Sequence, residues 1–271
     1  MTIAFIGVGN YTGHLLRGLF GRPWKTRDNG FCVNLFDIDR DRLNYVARQL
    51  LKVHKSRTLA SAIANAEIII VAVPVDKVRG VLSDVKRIVP NREVSVIIMD
   101  GANPMDIMKE YPDFFVGAIM FNHFVRTRSG IVGFWRGTLC DDVVSSLSNL
   151  LSFLGVLKMV KAPDSLKVIR VVAGVGAGVL LQFLNHLVDC FAQLGFTYHE
   201  ADQVVRTLLE GTIVSHNEGK TIPQIYESIK GNKGLVTAEM LQVLNSEIYN
   251  KMIIEKNFFN ALKRIEEIAV L

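Results

Sequence analysis

A chain of 271 residues, 49% hydrophobic and 21% charged, can bury a large core and is neither a disordered tail nor a low-complexity polymer. Its net charge of +5 is spread without a basic run or aromatic-basic interleaving, which argues against a nucleic-acid surface and suits an anionic cofactor or substrate. Cys32, Cys140 and Cys190 are far apart and none stands at metal-ligand spacing, so reduced thiols, a cytoplasmic setting and no metal centre are expected.

The apolar run TIAFI, residues 2–6, reads as a strand, and GVGNYTG, 7–13, as the turn from it into a helix through YTGHLLRGLF. Gly7 permits a tight turn, Gly9 lets the backbone approach a pyrophosphate, and the helix start presents the amides of Asn10, Tyr11 and Thr12 to the anion. Val8 lies between the two glycines as part of the same cofactor-binding turn. Thr12 stands where a third glycine is usual, and Gly13 follows it directly.

The next strand, CVNLFD, carries Asp37 thirty residues beyond Gly7, where about twenty is usual. The excess lies in GRPWKTRDNG, 21–30. Asp37 suits the ribose hydroxyls of NAD, whereas Arg40 suits the 2′-phosphate of NADP. The acid repels that phosphate, so either dinucleotide fits and NAD is favoured.

RDRLNYVARQLL follows as a helix with Leu43, Val46 and Leu50 on one face. AEIIIVAVP is a near-continuous apolar strand of the kind buried on both faces of a parallel sheet. Val73 and Pro74 end it at the carboxyl edge, where such sheets present ligands. A helix (DKVRGVLSDVKRIV), two strands (VSVIIMDG and FFVGAIMFN), a helix (SSLSNLLSFL) and a strand (VLKMV) complete the alternation. This rhythm predicts an α/β Rossmann domain, a doubly wound parallel sheet, over residues 1–160.

From 161 to 271 the strand patterns cease and one all-helical domain is expected, the break lying at KAPD, 161–164. Its most apolar stretch, VVAGVGAGVLL at 171–181, is eleven residues and too short to span a bilayer, which predicts a buried helix with His186 as a core histidine. No basic leader region precedes the first strand, which adds to the expectation of a protein with no membrane partner. A helical domain this apolar predicts a homodimer closed through it, or a higher oligomer.

The segments IAFIGVGNYTGHLLRGL, VAVPVDKVRGVL, AIMFNHFVRTRSGIVGFW, RVVAGVGAGVLLQFLNHLVDCFAQLG and NKGLVTAEMLQVL follow one another in the order of the pyrroline-5-carboxylate reductase family, which the chain resembles over nearly its whole length. Within that resemblance Phe121 stands for the proline of a Met-Pro-Asn segment, with Asn122 kept, and AGVGAG at 173–178 stands for Ser-Gly-Ser-Gly-Pro-Ala. In the last segment Gly234 and Thr237 match the family's loop, while Asn232 replaces its serine, Lys233 its proline and Leu235 its second glycine. The resemblance implies reduction of a small cyclic imine carboxylate, pyrroline-5-carboxylate or a close analogue, by NAD(P)H, with a keto acid as a related substrate class.

It also implies Thr237 as the catalytic contact of the imine nitrogen, and Asn232, Gly234 and Asn122 as substrate-binding residues. Thr237 fits a helix N-cap before AEMLQVL equally well, and both roles can coexist. His123, beside Asn122, reads either as a proton donor or as an ordinary hydrogen-bonded histidine. Two alternatives stand beside the reductase. The altered AGVGAG and NKGLVT loops suit a dinucleotide-binding sensor or interaction protein with little catalysis. A 3-hydroxyacid dehydrogenase-like enzyme fits less well, since GVGAGVLLQFLN carries no lysine.

Overall fold

The computed structural model describes residues 1–22, 30–90, 93–99, 102–230, 260, 261 and 263. Its first part runs β1 (Thr2–Ile6), α1 (Asn10–Phe20), β2 (Cys32–Phe36), α2 (Arg40–Ala47), β3 (Val53–Lys55), α3 (Leu59–Ile63), β4 (Ile68–Val71) and α4 (Val75–Ile88). It continues β5 (Val94–Met99), α5 (Pro104–Glu110), β6 (Phe114–Phe121), a 3₁₀ turn (His123–Thr127), β7 (Gly130–Trp135), α6 (Asp141–Ser152), β8 (Gly155–Val160) and α7 (Ser165–Arg170). Among the described residues the eight strands form one sheet in the order β3-β2-β1-β4-β5-β6-β7-β8.

Side-chain alternation makes this sheet a two-faced layer. Ile3 and Phe5, Ile68 and Ile70, and Ile97 and Met99 fill the core on one face. Their neighbours Ala4 and Ile6, Ile69 and Val71, and Val96 and Ile98 fill the core on the other. A strand apolar at every position is what a parallel sheet covered by helices on both sides requires. Phe5 is fully buried, and truncating such a residue to alanine costs about 3–5 kcal/mol.

Local signals start the helices. Asp39 caps α2 by accepting the Arg42 amide at 3.0 Å, and Thr58 and Ser61 form a reciprocal capping box on α3. Asn103 caps α5, with Pro104 at its first position. In α4, Val78, Leu82 and Val85 recur at helical spacing and are its buried residues.

Within the expected doubly wound parallel sheet one pairing is antiparallel. β7 runs antiparallel to β6, with Ala118 opposite Trp135 and Phe121 opposite Val132, and β8 is parallel to β7. The short connection through His123–Ser129 turns the chain straight back, which a parallel crossover of a dozen or more residues cannot do. Gly130 and Gly155 allow the close approach of these strands, because a Cβ on Gly155 would lie 2.2 Å from the Gly130 carbonyl oxygen.

The chain divides into two compact units, one covering Met1–Gly174 and the other beginning at Val175. α7 belongs to the first, since Leu166 and Ile169 pack over Gly133 of β7. After α7 the helix takes a π turn (Val171–Val175) and continues as α8 (Gly176–Gln193). The uninterrupted helical run Ser165–Gln193 is thus 29 residues with a mean hydropathy of 1.7 in its most apolar window, enough by length and composition to cross a membrane. The eleven-residue estimate is corrected accordingly, because helix continues on both sides of the glycines.

The second unit contains α8, α9 (Tyr198–Asn217) and α10 (Ile222–Lys230), with α9 opened by a Thr197–Glu200 capping box. Ala201, Val205 and Ile225 are buried within it. No residue of α8 is buried, and Leu180 and Leu181 are 50% and 53% exposed. His186 is likewise exposed and is not a core histidine of this chain. Its helix is apolar, and among the described residues much of that surface is exposed.

Candidate functional site

The turn at residues 7–13 lies where β1 and β4 neighbour one another and their outgoing connections lead to opposite sides of the sheet. This is the topological switch point at which doubly wound sheets bind ligands. Gly7 has φ +92°, and a Cβ on it would stand 2.6 Å from the Ala72 carbonyl oxygen. Only glycine meets both demands. Gly9 differs, since its backbone is extended at φ −66° and, among the described residues, nothing lies within 4 Å of where its Cβ would be. No side chain caps the start of α1, so its first-turn amides at Asn10, Tyr11 and Thr12 remain suited to a pyrophosphate.

Val8 takes no part through its side chain, which is fully buried. Its amide donates instead to Asp37 Oδ2 at 2.6 Å, and Asp37 Oδ1 accepts the Asp39 amide at 2.8 Å. Asp37 therefore ties the end of β2 to the glycine turn while only 7% exposed. A carboxylate has four lone-pair sites, so these two bonds leave it acceptor capacity for ribose hydroxyls.

Arg40 is placed differently from its expected role. Its guanidinium donates to the carbonyls of Ser56, at 2.8 Å, and of Arg57, and it packs over the Phe36 ring at 5.9 Å. It braces the connection from β3 to α3 rather than standing ready for a phosphate. Val73 touches the Gly7 turn through its side chain, and Pro74 starts α4 at once after β4.

Tyr11 anchors the other side of the turn. Its ring stacks on Phe121 at 4.1 Å and 6° between planes, its hydroxyl donates to the Phe121 carbonyl, and it accepts the Phe121 amide at 3.2 Å. Burial pushes the phenol up to about 12, against smaller opposing effects of the Phe121 backbone bond and the Arg170 charge. Tyr11 is thus a neutral strut between α1 and the end of β6. Next in sequence, Asn122 is buried, with Oδ1 accepting the Ile131 amide at 3.0 Å and Nδ2 donating to the Ala173 carbonyl at 3.2 Å. Both ends of this amide hold backbone, the second in the π turn.

His123 is exposed, and its ring meets His14 of α1 edge-on at 4.1 Å. Burial, and then the charges of His123, Arg17 and Arg126, pull the His14 imidazole below its ordinary value, and its Nδ1 is buried without a hydrogen-bond partner. His14 was not singled out by sequence. The available signal was its position three residues after Tyr11, on the same face of α1. Asn232, Gly234 and Thr237 lie outside the described residues. Among the described residues no cluster of three metal-ligating side chains occurs.

In sequence, residues 23–112 match the nucleotide-binding domain model of prephenate dehydrogenase, about a third of the chain. Among curated proteins, none matches the chain. In structure, the chain is similar to a pyrroline-5-carboxylate reductase from Coxiella burnetii, with a TM-score of 0.84 at 22% identity over 98% of this chain and 97% of that one. It is also similar to the Plasmodium falciparum pyrroline carboxylate reductase with NADP bound, with a TM-score of 0.75 at 15% identity over 99% and 98%. The enzyme from Streptococcus pyogenes gives 0.77 at 13% identity over 98% of each chain. The chain has the fold of pyrroline-5-carboxylate reductases, a Rossmann-like sheet followed by a helical part.

Proposed function

We propose that this chain is a nicotinamide-dependent reductase acting on a small cyclic imine carboxylate such as pyrroline-5-carboxylate. The observation that carries the reading is the Gly7 turn, strapped to Asp37 through the Val8 amide at 2.6 Å, at the switch point of a fold shared end to end with such reductases. The described residues fit a dinucleotide. Gly9 leaves its approach open, the amides of Asn10, Tyr11 and Thr12 hold the pyrophosphate, and Asp37 takes the ribose.

NAD is the favoured dinucleotide, for Asp37 repels a 2′-phosphate while Arg40 is already engaged by two carbonyls. When bound, the nicotinamide supplies hydride to the imine carbon. Asn232 and Gly234 hold the substrate carboxylate, and Thr237 contacts the imine nitrogen. Asn122 acts through backbone, fixing the end of β6 against the π turn. The helical part pairs with that of a second copy in a homodimer. The protein acts in the cytoplasm and needs neither metal, membrane nor nucleic acid.

Steady-state oxidation of NADH and NADPH with pyrroline-5-carboxylate tests this directly, using wild type, Asp37→Asn and Thr237→Ala. The expected result is turnover with NADH above NADPH, a preference narrowed about tenfold in Asp37→Asn, where about 1.4 kcal/mol of charge discrimination is lost, and kcat reduced in Thr237→Ala. Dinucleotide binding without turnover would replace the enzyme by a cofactor-binding sensor.

A further inference from the structure

We propose that His14 and His123 form a proton-operated latch between α1 and the 3₁₀ turn, which opens in mild acid and lowers the affinity of the glycine turn for its dinucleotide. The inference rests on the cofactor part of the reductase reading and on nothing in its substrate loop. One face of α1 meets the end of β6 and the 3₁₀ turn through Tyr11, His14 and Gly18, spaced three and four residues apart. Tyr11 is bonded to both backbone groups of Phe121. At the far end Arg128 Nε donates to the Gly18 carbonyl at 2.8 Å, and a Cβ on Gly18 would run into the Val125 carbonyl oxygen. The His14–His123 ring contact, at 4.1 Å, lies between these two anchors. It is built from the residue type that titrates near neutral pH.

This contact accommodates His14 as a neutral ring and not as a cation. Nδ1 of His14 is buried and, among the described residues, has no hydrogen-bond partner. With the ring proton on Nε2, that nitrogen is only an acceptor left unmet. Protonation turns it into an N–H with nothing to receive it, and a buried charged donor left unmet is the costlier of the two. The surroundings act in the same direction. The groups whose charge bears on His14 are Arg17 of its own helix and His123 and Arg126 of the 3₁₀ turn, with no carboxylate among them. On the other flank, α2 sets Val46 against Gly13 and the Tyr45 ring 5.9 Å from the Arg17 guanidinium, whose Nε donates to Gln49 at 2.7 Å. None of these contacts brings an anion to the pair.

A proton on His14 therefore pushes α1 and the 3₁₀ turn apart between the two anchors. Tyr11 lies one turn earlier, and its amide is among those at the start of α1 that face the pyrophosphate. On the other element Asn122 immediately precedes His123 and holds the Ala173 carbonyl at 3.2 Å. Separation at His14 thus disturbs the cofactor turn through Tyr11. By linkage the opposition is mutual, so a bound dinucleotide resists protonation of His14 as strongly as the proton weakens the dinucleotide.

Titration calorimetry of the full chain with NAD⁺ provides the test, at about pH 7.5 and about pH 5.5, on either side of the ordinary histidine value. Wild type is compared with His14→Gln and His123→Ala. Wild-type affinity should fall about threefold or more in acid at unchanged stoichiometry. Binding near pH 6 should also release protons, read from the dependence of the heat on buffer ionisation, at about the ordinary histidine value. His14→Gln should hold the fall to less than about 1.5-fold. His123→Ala, made at an exposed position, should reduce the fall by relieving the ring contact, and it serves even where His14→Gln does not fold. An equal fall in wild type and in the folded variants would overturn the latch and leave the cofactor reading intact. So would a drop in stoichiometry in place of affinity, since acid would then be unfolding the chain. NAD⁺ that binds at neither pH would overturn the cofactor reading, and the latch with it.

Discussion

Gly7 and Gly9 look alike in the sequence, and the structure separates them. A methyl group on Gly7 must displace the backbone of Ala72 and hold φ near +92°, whereas one on Gly9 meets open space at an ordinary φ. Gly7→Ala is therefore expected to destabilise the fold by about 2 kcal/mol or more, lowering the melting temperature by at least about 5 °C. Gly9→Ala is expected to leave it within about 2 °C yet weaken dinucleotide binding about tenfold, by about 1.4 kcal/mol. Thermal melts and a fluorescence titration with NADH measure the pair, and equal dinucleotide affinity in Gly9→Ala and wild type would remove Gly9 from the cofactor surface. Residue types and spacing made the glycine turn and Asp37 legible beforehand. They could not reveal that the Val8 amide is spent on Asp37, or that Arg40 is held by Ser56 and Arg57, since both depend on contacts distant in sequence.

Among the elements, α1 does more than open on the cofactor turn. Through Tyr11 it grips the end of β6, and through His14 it packs against the turn that follows β6. His14 faces His123, with Arg17 and Arg126 as the nearby charges, and its native imidazole titrates below its unfolded value. The unfolded chain then binds the proton more readily. Stability from this contact is fully present above the ordinary histidine pKa of about 6.5 and is lost as pH falls from there toward the native value. Melting temperature should thus decline on acidification below about pH 6.5, and His14→Gln should flatten that decline. An unchanged pH profile in the variant would show that other groups set it. The elements that sequence periodicity missed are the short β3, α3 and α5, together with β7. Val53–Lys55 is too brief to show alternation, and GIVGFW has its glycines where tight packing, rather than strand propensity, decides.

For the whole molecule, the order of apolar strands disclosed a doubly wound sheet, while the antiparallel β7 stayed hidden because strand direction follows from connection length rather than from strand composition. Apolar content of the second half was equally plain, but what covers it was not, for periodicity reports an apolar face and not its partner. Val179, Leu180, Leu181, Ile213 and Val214 are each about half exposed or more, a concentration that soluble monomers avoid. A lipid-facing role for the whole Ser165–Gln193 run is disfavoured by its first turns, where Leu166 and Ile169 lie against β7. A second copy of the chain is the expected cover. Sedimentation equilibrium without detergent should return about twice the 30.2 kDa subunit mass. Leu180→Glu forces a charge into that contact, and it should raise the dimer dissociation constant about 30-fold or more, equivalent to about 2 kcal/mol. Because Leu180 is half exposed within one subunit, the variant's far-ultraviolet circular dichroism should stay that of wild type. A wild-type protein that remains monomeric at tens of micromolar, or is recovered only with detergent, would assign the exposed face of α8 to something other than its own copy.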